Sequence, residues 1–140
     1  MKNNPWLRKL GVSYCYSDKV EKLLEEGEPV QITDFKRRDR WRKEKQIYGF
    51  DSSETWNLDY VFVMWIYTRV KLYEELNNVA TDEEFFEYKG NEYSFQEGIN
   101  MLLELSKKMI IDMRDDGWYN NEDMDELCDL WKVLVRRLWW

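Results

Sequence analysis

The sequence predicts a mainly α, compact helical domain of about five helices around a central apolar helix at residues 55–76, with one small β-hairpin at residues 86–95. Three observations lead to this prediction. Apolar residues repeat at helical spacing in several segments. Glycine and asparagine residues stand where those segments end or begin. Aromatic and polar residues alternate on both sides of Lys89-Gly90-Asn91, which is typical of a hairpin turn.

The N-terminal part of the chain carries the weakest pattern. We predict one domain over residues 1–140, in which residues 1–16 form an irregular arm because their apolar residues follow no clean period. A short helix is expected next, with Ser17 or Asp18 as its N-cap and an end before Gly27.

A basic helix is predicted over residues 33–48, with Asp34 as its N-cap and Gly49 as its end. Its segment 36–45 carries seven basic and two acidic side chains. At a spacing of three and four, one face of this helix collects Phe35, Arg38, Trp41, Arg42 and Lys45.

The central helix is predicted to begin with Ser53 or Thr55 as its N-cap and to end near Asn77. Apolar residues occupy one helical face and much of the opposite side, so the helix is expected inside a domain or between subunits. Its charged residues make it too polar to span a membrane. The main apolar face comprises Leu58, Val61, Phe62, Trp65, Ile66, Leu72, Tyr73 and Leu76.

Two further helices follow the hairpin. Ser94 and Glu97 have the spacing of a capping box, which marks the start of a helix that continues to the break at Gly117. Asn120 or Asn121 is then the expected N-cap of the last helix. Both helices carry apolar stripes at helical spacing to their ends.

The composition argues against an enzyme. Histidine is absent, which removes the commonest general base and the commonest metal ligand. Cys15 and Cys128 have no histidine to activate them, and Cys128 lies on the apolar stripe of the last helix, so we expect it in the core. We predict no catalytic residues, no cofactor and no metal site. Two thiols and no apolar leader favour the cytoplasm.

The basic segment 36–45 has two interpretations. Its cations could hold phosphates, with Trp41 available to stack on a base, as in a nucleotide or nucleic-acid binder. Alternatively, it pairs with the acidic remainder of its own fold or of a second subunit, which the net charge of −7 favours. The candidate ligand-binding or partner-binding residues are Arg37, Arg38, Arg40, Trp41, Arg42, Lys45, Trp56 and Asn57.

Aromatic residues make up 16% of the chain, including eight tryptophans. Large aromatic side chains are the residues on which protein interfaces most depend. Trp139 and Trp140, which follow the last helix, are expected to pack on the core or against another chain. The composition therefore favours a protein partner and allows a homo-oligomer.

The segment 40–75 resembles small proteins of phages and prophages of Gram-positive bacteria. The resemblance rests on a basic lead followed by Gly49-Phe50-Asp51, then Glu54-Thr55-Trp56-Asn57-Leu58-Asp59, then an aromatic helix ending in Lys71-Leu72-Tyr73. Tyr88-Lys89-Gly90 and Tyr93-Ser94 add to it downstream. The resemblance covers about half of the chain, and it implies a phage or prophage setting without an activity to transfer.

That setting makes a non-enzymatic binding protein the first hypothesis. Such a protein would contact a host or defence protein, with inhibition as one outcome, in the cytoplasm of the host bacterium and without a membrane. The alternatives are an oligomeric nucleotide or nucleic-acid binder that uses residues 36–45, and a minor phage structural or assembly protein. For Trp56 and Asn57, a purely structural role at the start of the central helix is also open.

Overall fold

The structure, a computed structural model, describes residues 4–77 and 84–138 and confirms the mainly α-helical class. Within those residues the helices are α1 (Pro5–Lys9), α2 (Tyr16–Glu25), α3 (Ile32–Tyr48), α4 (Leu58–Asn77), α5 (Phe95–Asp116) and α6 (Asn121–Leu134). The hairpin strands are β1 (Phe85–Tyr88) and β2 (Asn91–Ser94), and two short 3-10 helices cover Ser52–Thr55 and Val135–Arg137.

Contacts divide the chain into two compact units, Met1–Trp65 and Ile66–Trp140. The first contains α1, α2, α3 and the 3-10 helix Ser52–Thr55, and the second contains the hairpin, α5 and α6. The single domain expected over residues 1–140 stays a prediction.

Helix α1 lies within the stretch that was expected to be irregular. The side chain of Asn4 accepts hydrogen bonds from the backbone amides of Trp6 and Leu7, at 3.0 and 3.2 Å. Pro5 occupies the first helical position, where its missing amide hydrogen is not needed. An asparagine cap followed by proline is therefore enough to form one turn, and Leu7 anchors it in the core.

The predicted cap of α2 is wrong. The N-cap position is Cys15, which makes no side-chain capping bond, and the helix begins at Tyr16. Ser17 and Asp18 lie in the first turn and are buried. Their polar side chains bind partners far along the chain, which local sequence rules do not register.

Helix α3 ends at Gly49 as predicted. Gly49 has a φ of 82°, the left-handed conformation that glycine adopts at low cost. The helix starts at Ile32, so Asp34 sits in its first turn instead of capping it. The buried Asp34 carboxylate accepts a hydrogen bond from the Tyr16 hydroxyl at 2.6 Å. This bond ties α3 to α2.

Helix α4 begins at Leu58, three residues later than predicted, because Asp51 starts a separate 3-10 helix. Asp51 Oδ1 accepts the Ser53 amide at 2.9 Å, and Glu54 Oε2 accepts the Asp51 amide at 2.9 Å. These reciprocal bonds form a capping box. The Asn57 carbonyl then accepts the Val61 amide and opens α4.

The predicted apolar face of α4 is largely the exposed one. Leu58, Trp65, Leu72 and Leu76 are all exposed, whereas the main buried side chains are Val63, Met64, Ile66, Tyr67 and Val70. Both sides of α4 are apolar, so the periodicity alone cannot choose between them. Of the predicted face, only Ile66 is fully buried.

The second unit contains the predicted hairpin, which the structure confirms. Phe85 pairs with Ser94 and Tyr88 with Asn91, and the turn between the strands has positive φ at Lys89 and Gly90. Strand β1 packs on α6 and β2 on α5. The hairpin therefore covers one side of the α5–α6 pair.

The ends of α5 and α6 follow the sequence signals. The Ser94 hydroxyl accepts the Glu97 amide, Gly117 ends α5 with a φ of 78°, and Asn120 caps α6. The core of this unit is apolar and includes Ile99, Leu102, Met109, Ile110, Leu127, Leu130 and Leu134. The predicted burial of Cys128 is wrong, because its side chain is exposed. Trp139 and Trp140 lie outside the described residues.

Candidate functional site

The basic helix α3 pairs mainly with carboxylates of its own unit. Arg38 donates two hydrogen bonds to Glu21 of α2, at 2.7 Å from Nε and 3.0 Å from an η nitrogen. Arg42 reaches the same carboxylate at 3.5 Å. Ion pairs also join Arg37 to Asp34, Arg40 to Glu44 and Lys45 to Asp18. Five of the seven basic side chains in residues 36–45 thus form ion pairs within the described chain.

The pair formed by Arg38 and Glu21 has the shortest distance of these contacts and two hydrogen bonds. The hydrogen bonds from Arg38 lower the pKa of Glu21, and the charges of Arg38 and Arg42 act in the same direction against the effect of burial. A carboxylate held by a planar guanidinium through two bonds is fixed in orientation as well as in charge. Arg38 and Arg42 therefore hold α3 against α2.

Lys45 reaches into a buried group of polar side chains. Its ammonium nitrogen lies 3.2 Å from Asp18 Oδ1 and 3.4 Å from Asp51 Oδ2. Burial raises the pKa of Asp18, and the charge of Lys45 partly offsets that rise. For Lys45, burial lowers the pKa, but the attraction of Asp18 and of other neighbours outweighs it and the net shift is upward. The attraction between Lys45 and Asp18 thus opposes the effect of burial on both pKa values.

Hydroxyl groups complete the bonding of Asp51, which has no exposed surface. Ser17 Oγ donates to Asp51 Oδ2 at 2.5 Å, and Ser53 Oγ donates to Oδ1 at 2.6 Å. The Ser17 amide in turn donates to Ser53 Oγ at 3.0 Å. The buried polar network, as we name it, comprises Cys15, Ser17, Asp18, Lys45, Asp51, Ser53 and Glu54.

Three members of the buried polar network could in principle hold a metal ion. Ligand atoms of Cys15, Asp51 and Glu54 lie within 4.8 Å of one another. Both Asp51 oxygens, however, already accept serine hydroxyls, and Lys45 supplies a positive charge beside them. Burial also raises the pKa of the Cys15 thiol, which opposes the thiolate form that binds metals. These donors fit a structural network better than a metal centre.

An aromatic cluster surrounds Trp41 of α3. The rings of Tyr16 and Trp56 have centroids 5.3 Å apart, and Trp41 meets both edge-on at 6.2 and 6.3 Å. Trp41 is only 3% exposed, so its indole is a core residue and does not offer a face to a base. Trp56 is 47% exposed. The cluster therefore presents one indole to solvent, packed against the buried Trp41 and the half-buried Tyr16.

Arg37 lies over that exposed indole. The centre of its guanidinium is 5.9 Å from the Trp56 ring centroid, within the range of a cation–π contact. It also lies 3.6 Å from Asp34, the acceptor of the Tyr16 hydroxyl. Asn57 and Leu58 follow Trp56 directly and are exposed, Leu58 to 64%. We name Arg37, Trp56, Asn57 and Leu58 the anchor patch.

All five basic candidates form ion pairs; they are Arg37, Arg38, Arg40, Arg42 and Lys45. Trp56 and Asn57 are exposed, Arg37 also lies over the Trp56 ring, and Trp41 is buried. Sequence reasoning missed the partners Tyr16, Glu21 and Asp51. The Asp51-x-x-Glu54 spacing, which is that of a capping box, was the available signal for Asp51.

Comparison with family models, with curated proteins and with solved structures found no match for this chain. Within the part of the chain that the structure describes, no helix is long and apolar enough to cross a membrane. The function is therefore inferred from the geometry of α3 and of the anchor patch.

Proposed function

We propose that this protein is a non-enzymatic binding protein that contacts another protein through the anchor patch. The observation that carries the proposal is the half-exposed Trp56 indole, supported from below by Tyr16 and Trp41 and flanked by Arg37. The resemblance of residues 40–75 to phage and prophage proteins supports a host or defence protein as the partner, in the host bacterial cytoplasm. Binding there would inhibit that partner.

Tryptophan and arginine are enriched among the few interface residues that dominate binding energy. An indole that is already packed on two other rings loses little conformational freedom when a partner covers it. Leu58 adds apolar surface beside it, and Asn57 adds an amide that can pair with partner backbone. The anchor patch thus combines a rigid apolar centre with polar neighbours, as protein interfaces do.

The ion pairs of α3 favour a protein partner over a nucleic acid. Phosphate binding depends on cations that are free to replace counterions along the backbone. Arg38 and Lys45 are instead directed to carboxylates inside their own unit. Trp41, which stacking on a base would require, is buried.

A second candidate function rests on the outer side of α3. Lys36 and Lys43 are exposed and form no ion pair among the described residues, and the Arg40 side chain is 73% exposed. These cations support the alternative of a nucleotide or nucleic-acid binder. A homo-oligomer and a role in phage assembly also stay predictions, and light scattering of the purified protein tests the first of them.

Affinity capture from host lysate, followed by reconstitution from purified components, tests the proposal. We expect a stoichiometric protein partner whose affinity falls when Trp56→Ala removes the indole, by the equivalent of about 2 kcal/mol or more. Trp118→Ala is the matched control, since Trp118 is 66% exposed and lies in the second unit. Circular dichroism of both variants establishes that they are folded.

Two results would contradict the anchor patch as the binding surface. One is an unchanged affinity of Trp56→Ala for the captured partner. The other is binding to a labelled single-stranded oligonucleotide or to ATP that Lys36→Glu with Lys43→Glu abolishes and Trp56→Ala leaves intact, which would favour the second candidate function.

A further inference from the structure

The second unit has a groove along the seam of α5 and α6. It has a volume of about 280 Å³ and is lined by Met101, Glu104, Leu105, Lys108, Glu126 and Leu130. This α5–α6 groove shares no residue with the anchor patch. The proposed function leaves this groove unused.

The floor of the α5–α6 groove is apolar. Leu130 is buried, and Met101 and Leu105 are half-buried. The lining residues of α5 recur at a spacing of three and four from Met101 to Lys108, a distance of about 10 Å along the helix axis. Methionine adapts its shape to different apolar partners. The floor therefore suits side chains that recur along a second helix at the same spacing.

The rim of the α5–α6 groove is acidic. Glu104 and Glu126 form no ion pair with any residue in the described ranges, and Glu104 is exposed. Lys108 is already held by Asp112 at 3.3 Å and by Asp123. Its positive charge is thus offset by two carboxylates.

Lys89 lies close enough to Glu126 for the charge of Glu126 to affect its pKa. The neighbouring Tyr88 raises the pKa of Lys89, and the charges of Glu126 and Asp129 add to that rise. No ion pair between Lys89 and Glu126 forms within 4.0 Å among the described residues. Lys89 offsets the charge of Glu126 only in part, and Glu104 has no cation partner among the described residues, so the rim keeps a net negative charge beside an apolar floor.

We propose that the α5–α6 groove binds an amphipathic helical segment of a partner protein, with apolar side chains on the floor and lysine or arginine facing Glu104 and Glu126. A helix laid into a groove is a recurring mode of peptide recognition, with anchors at i, i+3, i+4 and i+7. A volume of about 280 Å³ lies at the lower edge of small-molecule sites. It suits two apolar side chains.

Charge complementarity favours a basic amphipathic segment as the occupant. A second copy of this chain cannot offer the side of α3 that carries Arg38, Arg42 and Lys45, because these residues pair with carboxylates of their own unit. The outer side of α3 keeps Lys36 and Lys43 exposed, so self-association through that side is the alternative that the experiment must separate.

Fluorescence anisotropy with labelled model peptides tests the proposal on the full-length protein. The probe is a leucine–lysine amphipathic peptide of about four helical turns, and its controls carry glutamate for lysine or alanine for leucine. We expect binding of the leucine–lysine peptide, and a loss of at least about tenfold in affinity with either control peptide.

Charge reversal locates the site. Glu104→Lys with Glu126→Lys should weaken binding by at least about tenfold, whereas Glu87→Lys with Glu92→Lys should not. The second pair is the matched control, because it changes the net charge equally at exposed hairpin positions. Glu104→Gln with Glu126→Gln keeps the side-chain shape and replaces the first pair if that protein does not fold.

Four results would overturn the inference, three of them in the peptide assay. These are an equal loss of affinity in both charge-reversed pairs, unchanged binding in the Glu104 and Glu126 variants, and no binding of the leucine–lysine peptide. Self-association that the Glu104 and Glu126 variants abolish would also overturn it, because a second copy would then be the occupant. Trp56→Ala should leave peptide binding intact, which separates this groove from the anchor patch.

Discussion

The Lys45 ammonium lies 3.4 Å from Asp51, a residue with no exposed surface. The same ammonium lies 3.2 Å from Asp18, so one cation joins α3 both to α2 and to the loop that follows Gly49. The Asp51 carboxylate also accepts hydroxyls from Ser17 and Ser53. A charge this deeply buried is tolerated only while its partners are present.

Replacing Lys45 should therefore destabilise the protein strongly. We expect Lys45→Met to lower the free energy of unfolding by about 3 kcal/mol, because it leaves Asp51 and Asp18 without a cation. Urea denaturation at neutral pH measures the change. Lys43→Met is the matched control, since Lys43 is exposed and forms no ion pair among the described residues, and it should change stability by less than about 0.5 kcal/mol. Equal urea midpoints for the two variants would show that the contacts of Lys45 with Asp18 and Asp51 do not stabilise the protein.

The pair between Glu21 and Arg38 should give a pH-dependent contribution. The hydrogen bonds from Arg38 lower the pKa of Glu21 below its usual 4.5. A carboxyl group with a lowered pKa in the folded state stabilises the protein above its unfolded pKa. That stability is lost as the pH falls through the folded pKa. Glu21→Gln should thus lower the free energy of unfolding by about 1 kcal/mol at pH 7, and the difference should shrink in acid.

Denaturation curves of wild type and Glu21→Gln, recorded from neutral pH down to strongly acidic pH, test the expectation. Glu26→Gln is the control, because Glu26 is exposed and forms no ion pair within the described residues. A difference between Glu21→Gln and wild type that stays constant from neutral to strongly acidic pH would show that the charge of Glu21 is not its cause.

Gly98 allows the hairpin to approach α5. A Cβ atom added at Gly98 would lie 2.6 Å from Phe86 Cε1 and 3.0 Å from Leu134 Cδ2. Gly98→Ala should therefore destabilise the second unit by about 1–3 kcal/mol, although alanine favours helix elsewhere. Thermal unfolding measures the effect, with Lys107→Ala on the exposed side of α5 as the control. A Gly98→Ala protein as stable as wild type would mean that Phe86 is free to move aside.

The two thiols should differ in reactivity. Burial and the charge of Asp18 raise the pKa of Cys15, and its side chain is buried, whereas Cys128 is exposed. We expect a thiol reagent to modify Cys128 in the native protein and Cys15 only after unfolding. Mass spectrometry of Cys128→Ser before and after urea checks this. Rapid modification of that folded variant would show that Cys15 is accessible.

Local signals predicted much of the fold. Gly49 and Gly117 end their helices as expected, Ser94 and Asn120 start theirs, and the turn at Lys89-Gly90 forms the hairpin. Each of these signals acts within a few residues of its own position, so a sequence displays it directly. Contacts between residues that are distant in the sequence are different. The Ser17–Asp51 bond spans 34 residues, and no local pattern encodes it.

The site was predictable in composition but not in arrangement. The sequence indicates a basic helix beside aromatic residues, yet Trp41 is buried and Trp56 is exposed although both are tryptophans. The sequence also does not indicate which face of α4 is buried, because both of its faces are apolar. On α6, the prediction that Cys128 is buried was wrong for a geometric reason. Cys128 directly follows the buried Leu127, so its side chain points about 100° away from that of Leu127 and is exposed.

The bonding of Asp51 has a consequence for the motion of the chain between α3 and α4. Loops normally exchange their amide hydrogens with solvent quickly, because their backbone bonds open without disturbing the core. Here the Ser53 amide is held by Asp51 and the Asp51 amide by Glu54, and Ser17 and Lys45 lock the same carboxylate from two helices. We therefore expect the Ser53 amide to exchange slowly, because releasing it moves a carboxylate that Ser17 of α2 and Lys45 of α3 also hold.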